Sequence, residues 1–392
     1  MNARHSIFFC IFAVPLAAAA QNAPRYLVTD LGSSRSGLSA ASKLEVVRPM
    51  VKADPATASM LGFEVTADLG GVSPGGINSR GEVTGSDFAG GFIYSHGMFD
   101  HFSAQTTATD IDARGRVTGC LVKEDITTGD IVAQDPFLYF RGTLTDLGTL
   151  GGAIACGKGI NSRGQVAGYS TLTGAIDDVE NDHAFLYRHG VLHDLGTLTG
   201  PDPLGNNDSA ATAINNVGQV TGYSSFSGRN TLPTHAFFFS DGLMSDIGTL
   251  GGLVSVGQGI NDSSQVAGFS SLNAQGIDHA FLYSNGVMQD LGTLGGSDPQ
   301  GSIPSGAVAI NSAGRITGYS YLTAGFDGPF HAFLYSNGTM TDLNTLIDSS
   351  TPLPSGVYLM EGWAMNDRGA IIASASDGHL YVLTPITAQQ TR

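Results

Sequence analysis

Asp146-Leu-Gly-Thr-Leu-Gly-Gly152, then Gly159-Ile-Asn-Ser-Arg-Gly-Gln-Val-Ala-Gly-Tyr169, then His183-Ala-Phe-Leu-Tyr187 form one phrase, which restarts at Asp194. From residue 63 onward the chain repeats it with different filler. Ile-Asn or a variant stands at Ile77-Asn78, Ile111-Asp112, Ile160-Asn161, Ile214-Asn215, Ile260-Asn261, Ile310-Asn311 and Met365-Asn366. A Val-x-Gly mark follows at Val83, Val117, Val166, Val220, Val266 and Ile316, and decays at Ile371. An aromatic mark comes at Phe92, Phe137, Phe185, Phe237, Phe281 and Phe333, and as His379-Leu-Tyr-Val-Leu383. Asp-Leu-Gly or its relic closes units at Asp100, Asp146, Asp194, Asp246, Asp290 and Asp342.

Subtracting successive Ile-Asn positions gives steps of 34, 49, 54, 46, 50 and 55 residues. A period near about 50 is the propeller range and is long for one coil of a β-helix. Each unit reads as four short strands: a ends at Ile-Asn, b is the Gln-Val-Ala-Gly-Tyr run, c is His-Ala-Phe-Leu-Tyr, and d runs into Asp-Leu-Gly. Asn-Ser-Arg-Gly makes a tight a–b turn. His189-Gly190, Asn285-Gly286 and Asn337-Gly338 make c–d hairpins, because these residues accept the positive φ that a two-residue loop demands. The b–c and d–a connections vary in length. Because strands alternate in direction, both tight turns fall on one face of the ring and both variable loops on the other.

The last unit stops at strand c, near Leu383, which would leave an unpaired edge. Phe63-Glu-Val-Thr-Ala-Asp-Leu-Gly70 is a spare d strand, preferred over a second copy at Tyr26-Leu-Val-Thr-Asp-Leu-Gly32. The expectation is an all-β, seven-bladed β-propeller of four-stranded blades closed by an N-terminal strand, with an open β-solenoid as the alternative. The expected division is a signal peptide at 1–20, an N-terminal segment at 21–62, the repeat propeller at 63–383 and a tail at 384–392.

Composition bounds the function. Of 392 residues 54 are Gly and 42% are hydrophobic, too apolar for disorder, while the net charge of −16 excludes a nucleic-acid partner. Arg4 and His5, the apolar stretch Ile7 to Ala17 and Ala18-Ala19-Ala20 have the order of a secretory signal cut before Gln21. The expected location is secreted or periplasmic. The stretch is too short for a membrane anchor and no second one occurs, so no membrane span is expected.

The marks resemble those of the HAF-repeat family, a class of predicted extracellular bacterial proteins. The resemblance rests on His183-Ala-Phe, His235-Ala-Phe, His279-Ala-Phe and His331-Ala-Phe, and on Leu-Gly-Thr-Leu-Gly-Gly at 147–152 and 291–296. It covers 63–383 and departs at both ends: Gly91-Phe92 and Pro136-Phe137 lack the His, and the last unit reads His379-Leu-Tyr. It implies export and a repeat fold, and no reaction.

Candidate chemistry is sparse. A His or Asp recurring once per unit serves the same local hydrogen bond in each, and no His-x-His or His-x-x-x-His metal spacing occurs. The Asn after Ile reads as a turn residue. The Gly-Gly of the d–a loop lacks the helix and Lys of a phosphate cradle, and no Gly-x-Ser-x-Gly elbow is present. Asp177, Asp178, Glu180 and Asp182 crowd one variable loop and are candidate calcium ligands, although a solvated acidic loop has the same composition. Cys120 and Cys156 fall on the variable-loop side of adjacent units and are a candidate disulfide. No cofactor is expected apart from that calcium. The leading function is an exported, non-enzymatic binding or scaffold module that meets an extracellular protein or carbohydrate on its variable b–c and d–a loops. The alternative is an extracellular carbohydrate-active enzyme on the same scaffold.

Overall fold

The computed structural model describes residues 60–70, 72–124, 131–173, 182–200, 208–226, 233–273, 276–296, 302–324 and 328–387. The signal segment, the Tyr26 strand and Asp177, Asp178 and Glu180 therefore lie outside the described residues. Among them are 28 strands, from β1 (Met60–Asp68) to β28 (Leu380–Thr387), and one short 3-10 helix at Leu343–Leu346. None of the described helices is long and apolar enough to cross a membrane.

The strands follow one another as antiparallel meanders. The sheet of β14 (Ser209–Ile214), β15 (Val220–Ser225), β16 (Thr234–Ser240) and β17 (Leu243–Asp246) is representative, with strands a to d lying side by side in chain order. Counting the sheet that β1 completes, five four-stranded blades are present, and this corrects the expectation of a seven-bladed propeller of four-stranded blades. The remaining strands make one eight-stranded sheet. In it β8 (Ile131–Phe140) and β10 (Gly151–Ile160) meet in parallel at Gln134 and Ile154. Both are ten residues long against six for β14 and β15, so their extra length brings two neighbouring units' edges into contact. The open solenoid is not supported either. Strand β1 pairs antiparallel with β28, Phe63 opposite Pro385 and Asp68 opposite Tyr381, so the chain's first described strand completes its last sheet.

The recurring residues have local causes. In Val-x-Gly the glycine sits where strand b passes a carbonyl of strand a. A Cβ on Gly168, Gly222 or Gly318 would land on the carbonyl oxygen of Cys156, Ala210 or Gly306. The c–d hairpins have positive φ at both central residues, as at His189 (53°) and Gly190 (84°), which is the turn that matches strand twist. Phe92, Phe137, Phe185, Phe237, Phe281 and Phe333 are wholly buried. They pack between neighbouring units rather than within one: Phe237 and Val220 meet Ala167, Ala184 and Leu186 of the preceding unit. Burying a side chain of that size contributes roughly 2–3 kcal/mol, repeated around the ring.

Candidate functional site

The phrase that dominates the sequence is a joint. Asp194 Oδ1 accepts the backbone N–H of Gly196 at 2.7 Å and lies 2.9 Å from Nδ1 of His183. The same His–Asp contact occurs at His235–Asp246, His279–Asp290 and His331–Asp342, at 2.9, 2.9 and 2.6 Å. Leu198 N–H then donates to Ser224 Oγ in the next unit, which fixes the crossing. Units lacking the His use other means. Asp135 stands in its place, and Lys123 bridges Asp135 and Asp146. In the first unit the residue facing Phe92 is His101 rather than Asp100, and it bonds Asp87 at 3.0 Å.

The Asn of Ile-Asn is more than a turn residue. Its Oδ1 accepts two backbone N–H groups of its own turn, while its Nδ2 reaches the next unit. Asn161 donates to the carbonyl of Asn215, Asn215 to Asn261, Asn261 to Asn311, Asn311 to Asn366, Asn366 to Asn78, and Asn78 to Asp112, at 2.8–3.2 Å. At the remaining step Asp112 has no amide to give. Arg116 fills the gap, with Nε on Asp112 Oδ2 at 2.7 Å and Nη2 on the Asn161 carbonyl at 3.4 Å. The result is a closed hydrogen-bonded belt of inner strands around the axis.

Inside that belt lies a cavity of about 550 Å³, lined only by inner strands and their a–b turns. Its mouth carries Ser79, Ala113, Ser162, Asn216 and Asp367 of those turns, so it opens on the tight-turn face, opposite the variable loops. Each inner strand has an irregularity in register at the same place, between Gly157 and Gly159, Ala211 and Ala213, or Gly362 and Ala364, for example. A bulge turns the extra residue out of the ladder and re-aims it. The residues so placed are Thr109, Lys158, Thr212, Gln258, Val308 and Trp363, with Gly75 and Gly76 in the first unit, and all line the cavity.

They differ from unit to unit where their neighbours repeat. Sequence reasoning passed over them. The available signal was the position two before Ile-Asn, where a Lys, a Gln, a Val, a Trp and two Thr interrupt runs of Gly and Ala.

Two threonines are committed to the scaffold: Thr109 and Thr212 donate to the carbonyls of Gly157 and Gly257 at 2.8 and 2.6 Å. Lys158 extends over the ring of Tyr169, its Nζ 5.4 Å from the centroid. Burial pushes its ammonium below the usual lysine range. Trp363, the chain's single tryptophan, remains 38% exposed, its Nε1 donating to Ser374 Oγ at 3.2 Å. Asp110 replaces the small residue beside the bulge. Burial pushes its carboxyl up to about 7, although the backbone N–H groups of Ile160 and Ile111 hold its two oxygens at 2.9 and 2.8 Å. Glu361, two residues before Trp363, is pushed up to about 8 by burial.

Among the earlier candidates, Cys120 and Cys156 are joined by a disulfide across adjacent units, with Cα atoms 4.6 Å apart. Of the candidate calcium ligands only Asp182 is described, at the start of β12 (Asp182–Arg188). No group of three or more His, Cys, Asp or Glu that could hold a metal occurs among the described residues.

No family model matches the chain, and no curated protein matches it. Solved structures do resemble it at a distance. The β-propeller domain of the trilobed protease of Pyrococcus furiosus is 9% identical, with a TM-score of 0.44, over 78% of this chain and 91% of its own. A gluconolactonase from Xanthomonas campestris is 12% identical, with a TM-score of 0.39, over 87% and 99%. The acylaminoacyl peptidase of Pyrococcus horikoshii is 9% identical, with a TM-score of 0.44, over 81% and 52%. These likenesses are too distant to carry an argument about activity, and the architecture rests on strand order.

Proposed function

We propose that this is an exported binding module that takes a small saccharide in the cavity at the centre of its ring, through the tight-turn mouth. Export and kinship with the HAF-repeat proteins belong to the same proposal and rest on the N-terminal pattern and the repeated marks. One observation supports the site: side chains that vary between otherwise repeated inner strands are the ones the bulges aim into the cavity. An exposed indole face suits the C–H face of a sugar ring, and the Gln258 amide offers a donor and an acceptor to neighbouring hydroxyls. The volume lies in the range of small-ligand sites. This moves the expected site from the variable loops to the opposite face.

Calorimetry with a panel of neutral and acidic disaccharides tests it. Binding by the native protein and its loss in Gln258→Ala/Trp363→Ala are expected. Silence across the panel, or undiminished binding by the double variant, would defeat the proposal.

A further inference from the structure

The cavity holds one cation that its surroundings do not neutralise. No ion pair or hydrogen bond reaches the Lys158 ammonium among the described residues. Its Nζ lies over the face of Tyr169, and burial is the single cause that lowers its proton affinity. Asp110, in the neighbouring inner strand, makes no ion pair with it; its two oxygens accept the amides of Ile160 and Ile111. Keeping a desolvated ammonium without a counter-charge costs free energy that the scaffold alone has no reason to bear. Other inner strands show what the scaffold needs at this place: Val308 or Thr212 suffices.

The approach to the cavity points the same way. The protein is strongly acidic, yet the tight a–b turns around the mouth carry Arg80, Arg114, Arg163 and Arg368 at one repeated position. Arg80 is engaged by Glu82, and Arg163 donates to the Val217 carbonyl at 3.3 Å, so both guanidiniums are held at the surface of this face. These four arginines share the seven turns with Asp112, Asp262 and Asp367, so the turns do not add to the protein's negative charge and leave the mouth open to an anion.

We infer that the ligand is an acidic sugar, a uronate whose carboxylate meets the Lys158 ammonium while its ring lies against Trp363. This rests on the saccharide reading above and specifies its chemistry. The ammonium acts as a point charge, so a carboxylate satisfies it without the bidentate geometry that arginine would impose. A charge-assisted hydrogen bond in a desolvated site separates a uronate from the neutral sugar by roughly tenfold or more.

The experiment uses the full chain, with Trp363 fluorescence as the reporter and two probes, digalacturonate and its neutral counterpart galactobiose. Digalacturonate is expected to bind at least about tenfold more tightly than galactobiose. Lys158→Met is expected to remove that preference and to raise thermal stability, since the desolvated charge is gone. Equal affinity for the two sugars in the native protein, or retention of the preference in Lys158→Met, overturns the inference while leaving a saccharide site standing. If neither sugar perturbs Trp363 or registers by calorimetry, the inference and the proposed function fall together.

Discussion

The belt of inner-strand amides contains its own control experiment. Where other units have Asn161 with Gln165 or Asn215 with Gln219, one unit has Asp112 with Arg116. The Asp112 side chain is 1% exposed and that of Arg116 13%, with Nη2 to Oδ2 at 2.6 Å. Exchanging one partner leaves the other charge buried beside a neutral group, a change worth about 3–5 kcal/mol when nothing else solvates the charge.

Here the N–H groups of Arg114 and Arg116 remain on Asp112 Oδ1 at 2.8 and 2.9 Å, so Arg116→Gln is expected to cost about 2–3 kcal/mol. Asp112→Asn alone strands the guanidinium and is expected to cost a similar amount. The pair Asp112→Asn/Arg116→Gln recreates the arrangement seen at Asn161, where Nδ2 meets Gln165 Oε1 at 2.7 Å and the next carbonyl at 3.0 Å. It should therefore return to within about 1 kcal/mol of the native protein. Urea unfolding of the four proteins, followed by circular dichroism, gives the coupling directly. If the double variant simply sums the losses of the two single ones, the two belt chemistries are not equivalent and the account given for them is wrong.

Other expectations are shorter. Gly222→Ala forces a methyl onto the Ala210 carbonyl, so strands a and b must separate, with a loss of about 2 kcal/mol or more in urea unfolding; a neutral effect would mean the glycine is not there for space. Replacing Cys120 and Cys156 by Ser frees a loop of sequence separation 36 and should lower stability by about 4 kcal/mol on the loop-entropy estimate, read from the urea midpoint in oxidising buffer. Glu361 has its proton affinity raised in the folded state, so the fold takes up a proton there and stability declines as pH rises from about 4.5 towards about 8. Glu361→Gln should therefore gain up to about 3 kcal/mol at pH 7 and nothing below pH about 4; a gain independent of pH would refute the assignment.

Asp194 and Asp290 behave oppositely. Burial raises them, but the bonds from His183 or His279 and from the glycine amides prevail and hold both below the usual carboxylate range. Their contribution is present above pH about 4 and is lost on further acidification, so His183→Gln/His279→Gln should flatten the acid limb of the stability profile.

What the sequence disclosed was what repetition discloses. A tight hairpin at His189-Gly190 and a glycine at Gly168 are local demands of backbone geometry, so they recur in every unit and can be read one at a time. The merging of two units into the eight-stranded sheet was not legible. It depends on how far β8 and β10 extend past their pairing partners, and nothing at Gln134 or Ile154 announces an edge contact. Nor was the belt legible at Asn161, whose amide satisfies a carbonyl 54 residues away while its oxygen serves the local turn that the sequence does show. The cavity was hidden for a different reason. Repetition draws attention to what is shared, and Lys158, Gln258 and Trp363 are singular residues at a shared place.

The pairing of β1 with β28 has a consequence for the life of the chain. This sheet cannot be sealed until the last described strand has been made, so a chain that ends between β27 (Ile371–Ala375) and β28 carries two open edges at once, at β1 and at β27. Once sealed, the ring belongs to no single stretch of polypeptide. A protease that nicks one variable loop leaves two fragments that still grip each other at every remaining seam, whereas trimming the first strand unfastens the circle.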